Sequence, residues 1–168
     1  ADLQKLKDTG NCVECDLRLV TLNAANLLKA DLRGADLRRA NLTGANLRWA
    51  ELVGVDLFKA DLTGANLTEA NLTGVDLTFA DLTGADLTGI RSGSITGTPR
   101  LPESYSVISG YIVGPNVDLT GAYLFEANLT SANLTGANLT GADLSGAVLY
   151  GADLSGAYLT NAYLTGAV

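Results

Sequence analysis

A leucine recurs at every fifth residue from Leu17 to Leu87, fifteen times without a miss, and ten times more from Leu119 to Leu164. Two positions before each stands Ala, Val or Cys, and immediately before most of them stands Asp or Asn. A period of five suits neither standard element. On an α-helix successive leucines would step round by about 140° and never form a stripe, and on a strand they would alternate faces. A chain that turns a corner every five residues resolves the conflict, because each leucine and the small residue two before it then point inward. Four such sides close a coil of about twenty residues, and stacked coils lie ~4.8 Å apart. The expected fold is therefore all-β, a square parallel β-helix built as a solenoid.

The unit that carries this beat, Ala35-Asp36-Leu37-Arg38-Arg39 or Ala132-Asn133-Leu134-Thr135-Gly136, resembles the pentapeptide-repeat family. The resemblance implies a right-handed quadrilateral β-helix. It implies the architecture far more than an activity, since the functions of the family are mostly unknown. In style the motif is similar to exported proteins of cyanobacteria and the thylakoid lumen.

The chain reads as one domain over residues 1–168: a cap at 2–9, repeat blocks at 15–98 and 117–168, and an insertion at 99–116. Asp2–Asp8 places Leu3 and Leu6 at helical spacing, with Asp2 as a candidate N-cap and Gly10 as the stop. A short amphipathic lid suits a first coil whose leucines would otherwise face water; a partner-docking helix is the functional alternative. Cys12 falls on the leucine position of the beat and Cys15 on the small inward one. Two buried thiols and a disulfide tying the cap to the first coil both fit. With no second Cys pair, a zinc site does not.

Stepping by twenty stacks Asp16, Asp36, Asp56 and Asp76 on one face, with Arg18, Arg38, Arg39 and Lys59 beside them. Such a column could bind cations, mimic DNA phosphates, or simply be solvated and neutralised by its own arginines. The residue that closes each repeat is Gly on two sides of the first block but Leu19, Arg39, Lys59, Phe79 and Lys29, Trp49, Glu69 on the other two. Two corner types on alternating sides are the expectation.

Residues 90–116 break the beat. Tyr105–Ile108 and Tyr111–Val113 flank Ser109-Gly110, a two-residue hairpin signal. When the beat returns its phase is shifted by two, and an insertion of about 17 residues would set Leu119 on the face of Leu82. The hairpin either packs on the solenoid's flank or docks a partner through Tyr105, Ile108 and Tyr111. By the same step Tyr123, Asp143 and Tyr163 stack, and the final coil at Val168 suggests an end-to-end homodimer.

The chain contains no histidine, no nucleophile with a base at usable spacing and no phosphate-cradling loop, so an enzyme and a cofactor are not expected. Mean hydropathy is +0.20, but no apolar run reaches membrane-spanning length, so no membrane insertion is expected. All 11 Lys and Arg lie in residues 1–100 together with 13 acids; residues 101–168 hold five acids and no base. Direct nucleic-acid binding by a basic patch is excluded on that pattern. The function that remains is a structural or interaction scaffold for an unidentified protein partner. The alternative implied by the family is an acidic DNA mimic that binds a DNA-handling enzyme such as gyrase. Beginning at Ala1 without any Met suggests a cleaved leader, hence export to a thylakoid lumen or periplasm; a cytoplasmic protein is the alternative.

Overall fold

Each repeat contributes one short extended step and one corner, so apart from the bond that closes the corner its backbone groups must be satisfied by the coils above and below. The computed structural model describes residues 1–168 and shows this arrangement throughout. Leu37 N–H donates to the Asp56 carbonyl at 2.8 Å, Arg39 N–H to Phe58 at 2.9 Å, and Asp56 N–H to Ala35 at 3.1 Å. Single bridging residues pair in parallel at a separation of twenty, as in Asp16 with Asp36 and Asn46 with Asn66, and recur every five residues. The fold is a β-helix solenoid. One bridging residue per side is too short to register as a strand, so the only regular strands belong to the insertion.

The interior is one apolar column running from Leu6 through Ala147, and no polar or charged side chain is buried in it. Leucines and their small partners from Leu32 to Leu82 are almost all below 2% exposed. The expectation that every repeat leucine is buried fails at the end of the stack. Leu149, Leu154 and Leu159 are partly exposed and Leu164 is 44% exposed in the last coil that the structure describes.

At the other end helix α1, Asp2–Thr9, lays Leu6 over the first coil and stops at Gly10 in the left-handed region, φ 73°. Its N-cap residue is Ala1, with no side-chain capping bond, which corrects the sequence reading of Asp2. The Asp2 carboxylate instead accepts the Asp16 backbone N–H at 2.8 Å. Asn11 Oδ1 likewise accepts Asp31 N–H at 3.0 Å. Both side chains replace carbonyls that a preceding coil would supply.

The corners correct a second expectation. Ala35 N–H closes a turn on Leu32 C=O at 2.9 Å with Gly34 at φ 66°, but Arg39, Trp49 and Phe79 hold φ 57°, 57° and 58° at the same corner position. All sides therefore share one corner geometry. The bonds to neighbouring coils impose it whether or not the residue is glycine.

The insertion corrects a third. Arg91 pairs with Asn71 below and Asp118 above, so one coil takes twenty-seven residues, seven more than the regular twenty. Leu119 stands over Leu72 and Ser92, not on the Leu82 face. Seven extra residues give the same phase shift as seventeen, and the shorter solution wins because Thr96 and Arg100 still bridge to Asp76 and Asp81. Strands β1, Ser106–Ile108, and β2, Tyr111–Val113, pair antiparallel around Ser109-Gly110. Ile112 and Val113 are buried, and the Tyr105 ring lies so close to Gly114 that a Cβ there would overlap it.

Candidate functional site

Because the core is closed and apolar, the chemistry of this molecule is carried by side chains that stand outward in columns. The first is Asp16, Asp36, Asp56 and Asp76, bridged in sequence from coil to coil. Arg18 grips Asp16 through Nε and Nη2, and its Nε also lies 3.6 Å from Asp36; Arg38 grips Asp36 and reaches Asp56 at 3.4 Å. The Arg18 guanidinium, with the Arg18 backbone N–H, lowers the Asp16 carboxyl to about 2. Arg38 likewise holds Asp36 below the usual range, and the Thr78 hydroxyl and N–H do so for Asp76. Arg39 and Lys59 form none of the ion pairs. Lys59 lies over the rings of Phe58 and Phe79, which meet edge to face at 6.1 Å. On another corner Trp49 is flanked by Lys29 and Arg48 at 5.0 and 4.1 Å from its ring.

The hairpin residues are held by the solenoid. Tyr105 Oη donates to the Pro115 carbonyl at 3.0 Å, Tyr111 Oη accepts Tyr123 N–H at 3.0 Å, and Ile112 N–H donates to Ser92 Oγ at 2.9 Å. Tyr105, Ile108 and Tyr111 pack against the core while keeping part of their surface in water. A cleft of about 240 Å³ opens beside Tyr105 and Ile108, lined also by Ser104, Ser106, Thr130, Ser131 and Asn133. Cys12 and Cys15 are joined by a disulfide across the first corner, Cα atoms 5.4 Å apart. No three His, Cys, Asp or Glu side chains converge to hold a metal, and no helix is long and apolar enough to cross a membrane.

The second block presents a surface of another kind. Tyr123, Asp143 and Tyr163 bridge in one column, and Asp118, Asn138 and Tyr158 in the next. Tyr123 stacks on Phe125 with ring centroids 6.0 Å apart. That stack lies within one repeat, at spacing two, and counting by twenty does not show it.

The pentapeptide-repeats family model matches the chain over residues 15–52, 50–89, 115–141 and 127–166 in eight copies. No curated protein matches it. Among solved structures, a pentapeptide repeat protein from Nostoc PCC 7120 is 35% identical, covering 62% of this chain and 86% of that one, with a TM-score of 0.54. QnrB1, a plasmid-mediated fluoroquinolone resistance protein, is 18% identical over 94% of this chain and 92% of its own, TM-score 0.55, a likeness of fold alone. A pentapeptide repeat protein of the Arabidopsis thaliana thylakoid lumen is 24% identical over 94% of this chain and 61% of that one, TM-score 0.18.

Proposed function

The chain belongs to the pentapeptide-repeat family, and from that premise we propose that it is a non-enzymatic scaffold that binds another protein through its outer columns. One observation carries the reading: the core contains no buried polar or charged side chain, so every group able to recognise or react stands on the open surface. We further read residues 1–168 as a single domain and its coil as a right-handed quadrilateral, supported by four bridging positions per twenty residues.

The hairpin face bearing Tyr105, Ile108 and Tyr111 is the partner site proposed on this reading, a loop displayed on a rigid frame. Replacing residues 102–114 by a short Gly-Ser linker tests it. Partner capture should disappear while a folded, coil-containing protein remains. Capture that persists at a temperature where the shortened protein is folded would assign the hairpin to bracing alone.

The acidic-mimic alternative needs free carboxylates, yet Asp16 and Asp36 are gripped by Arg18 and Arg38, and Arg38 also lies 3.4 Å from Asp56. We expect no inhibition of gyrase supercoiling; inhibition lost on reversing Asp16, Asp36, Asp56 and Asp76 would restore the mimic. The partly exposed leucines of the last coil support an end-to-end homodimer. Sedimentation should then show a dimer that Leu159→Lys separates, and a monomer at all concentrations would remove it. The Cys12–Cys15 disulfide supports an oxidising compartment such as the lumen or periplasm. Ready alkylation of both thiols in unreduced, unfolded protein would count against it.

A further inference from the structure

The two repeat blocks treat their acids differently. Every ion pair of the molecule lies between residues 16 and 100, whereas residues 101–168 carry Glu103, Asp118, Glu126, Asp143 and Asp153 with no Lys or Arg. In that uncompensated half the column Tyr123–Asp143–Tyr163 puts one carboxylate between two tyrosines that are 62% and 64% exposed. Phe125 stacks on Tyr123 and remains 44% exposed itself. Around the next corner Tyr158, 63% exposed, stands in the column of Asp118 and Asn138. A solenoid gains nothing from these rings, because the core is already filled by Leu124, Leu144 and their small partners. In the first block the residue before the leucine is mostly Asn or Asp, and Asn41, Asp61 and Asn66 show its use there: each side-chain oxygen accepts the N–H two residues on in its own corner.

We infer that the Tyr123–Phe125–Asp143–Tyr163 face docks an arginine-bearing, cationic peptide segment of a partner protein. This deepens the scaffold reading and rests on it. The chemistry is specific to arginine. Adjacent coils are ~4.8 Å apart, so the two tyrosines flank a slot of roughly 10 Å. A planar guanidinium can stack on either ring while its paired N–H groups meet the Asp143 carboxylate. Asp143 is ready for that role: the Ser145 hydroxyl and then its N–H favour the ionised carboxylate, the N–H donating at 3.0 Å orients it, and no protein cation pairs with it. A lysine would make the ion pair but not the stacked, two-pronged contact. The columns run along the stack axis, so an extended segment with arginines at intervals would lie along it.

The probe is a synthetic peptide of alternating Arg and Gly, titrated into the full chain by calorimetry at low and physiological salt. Saturable, salt-sensitive binding is expected. Asp143→Asn should weaken it roughly fivefold, and Tyr123→Ala and Tyr163→Ala each about two- to fivefold, in protein that stays folded at the temperature of the titration. Glu69→Gln removes the same charge from a remote corner and should change affinity less than about twofold. A Lys-Gly peptide should bind more weakly than the Arg-Gly one. Equal losses from Asp143→Asn and Glu69→Gln, or tyrosine variants that bind like the parent, would overturn the site and reduce the effect to net charge. Absence of binding overturns it too, yet leaves the scaffold proposal intact, because the hairpin replacement tests that separately.

Discussion

Leu19, Trp49 and Phe79 hold φ values of 59°, 57° and 58°, a conformation that costs a side chain roughly 1–2 kcal/mol relative to glycine. Nothing in the local sequence announces this. Reading each residue for its own preference leads to two corner types, and it fails because the corner is set by bonds to the coils on either side. The five-residue spacing, by contrast, is a statement about which side chains share an environment, and it locates the buried leucines from Leu17 to Leu144 directly. The strain makes a two-sided prediction. Leu19 is 70% exposed, so Leu19→Gly loses little burial and should raise stability by about 0.5–1 kcal/mol, even after glycine's extra freedom in the unfolded chain. Gly64 sits at φ 65°, and a Cβ placed there would meet no other atom within 4 Å, so Gly64→Ala should cost about 1 kcal/mol through backbone strain alone. Urea melts of the two variants check it; a stabilised Gly64→Ala together with a weakened Leu19→Gly would contradict the corner argument.

At the scale of the element, a repeat is stable only as far as its neighbours cover it. Leu67 is fully buried mid-stack while Leu164 is 44% exposed in the last coil. In the monomer, Leu67→Ala should therefore lose ~2–5 kcal/mol, and Leu164→Ala less than about 1 kcal/mol, since it gives up only part of a burial worth ~1.5–3 kcal/mol; the end-to-end dimer proposed above would raise the second loss toward the first. Equal losses at the two positions, measured by chemical denaturation, would mean that the last coil is covered in solution. The insertion shows where element-level legibility ends. Ser109-Gly110 between two β-branched runs identifies the hairpin, and the strands form there. Its length in the coil is not readable, because phase repeats every five residues. What decides it is Arg100 bridging Asp81, a pairing with no counterpart in the repeat pattern. The stitching of Tyr111 to Tyr123 and Ile112 to Ser92 is equally invisible, since it joins the hairpin to coils on both sides of it.

For the whole molecule the outer columns make stability depend on acid in one direction only. Asp16, Asp31, Asp36, Asp61, Asp76, Asp81, Asp86, Asp143 and Asp153 all have carboxyls held below their ordinary value. The cause is an Arg guanidinium in the first three and a Thr or Ser corner donor in the others. A lowered carboxyl in the folded chain means that the unfolded chain takes up protons first on acidification. The stabilisation is thus complete above the unfolded value of about 3.9 and is lost as pH falls toward the folded one, about 2 for Asp16. With no histidine in the sequence, no ordinary side chain titrates between pH ~5 and ~8. The melting temperature should therefore be flat from about pH 8 to about pH 5 and fall steadily below about pH 4. Asp61→Asn and Asp76→Asn should shrink that acid dependence, because each removes one titrating group while leaving an oxygen to accept its corner N–H. Calorimetric scans across pH decide the matter. A melting point that drops between about pH 7 and about pH 5 would require a titrating group other than these carboxylates, and one that holds to about pH 2 would show that the columns add nothing to the folded state.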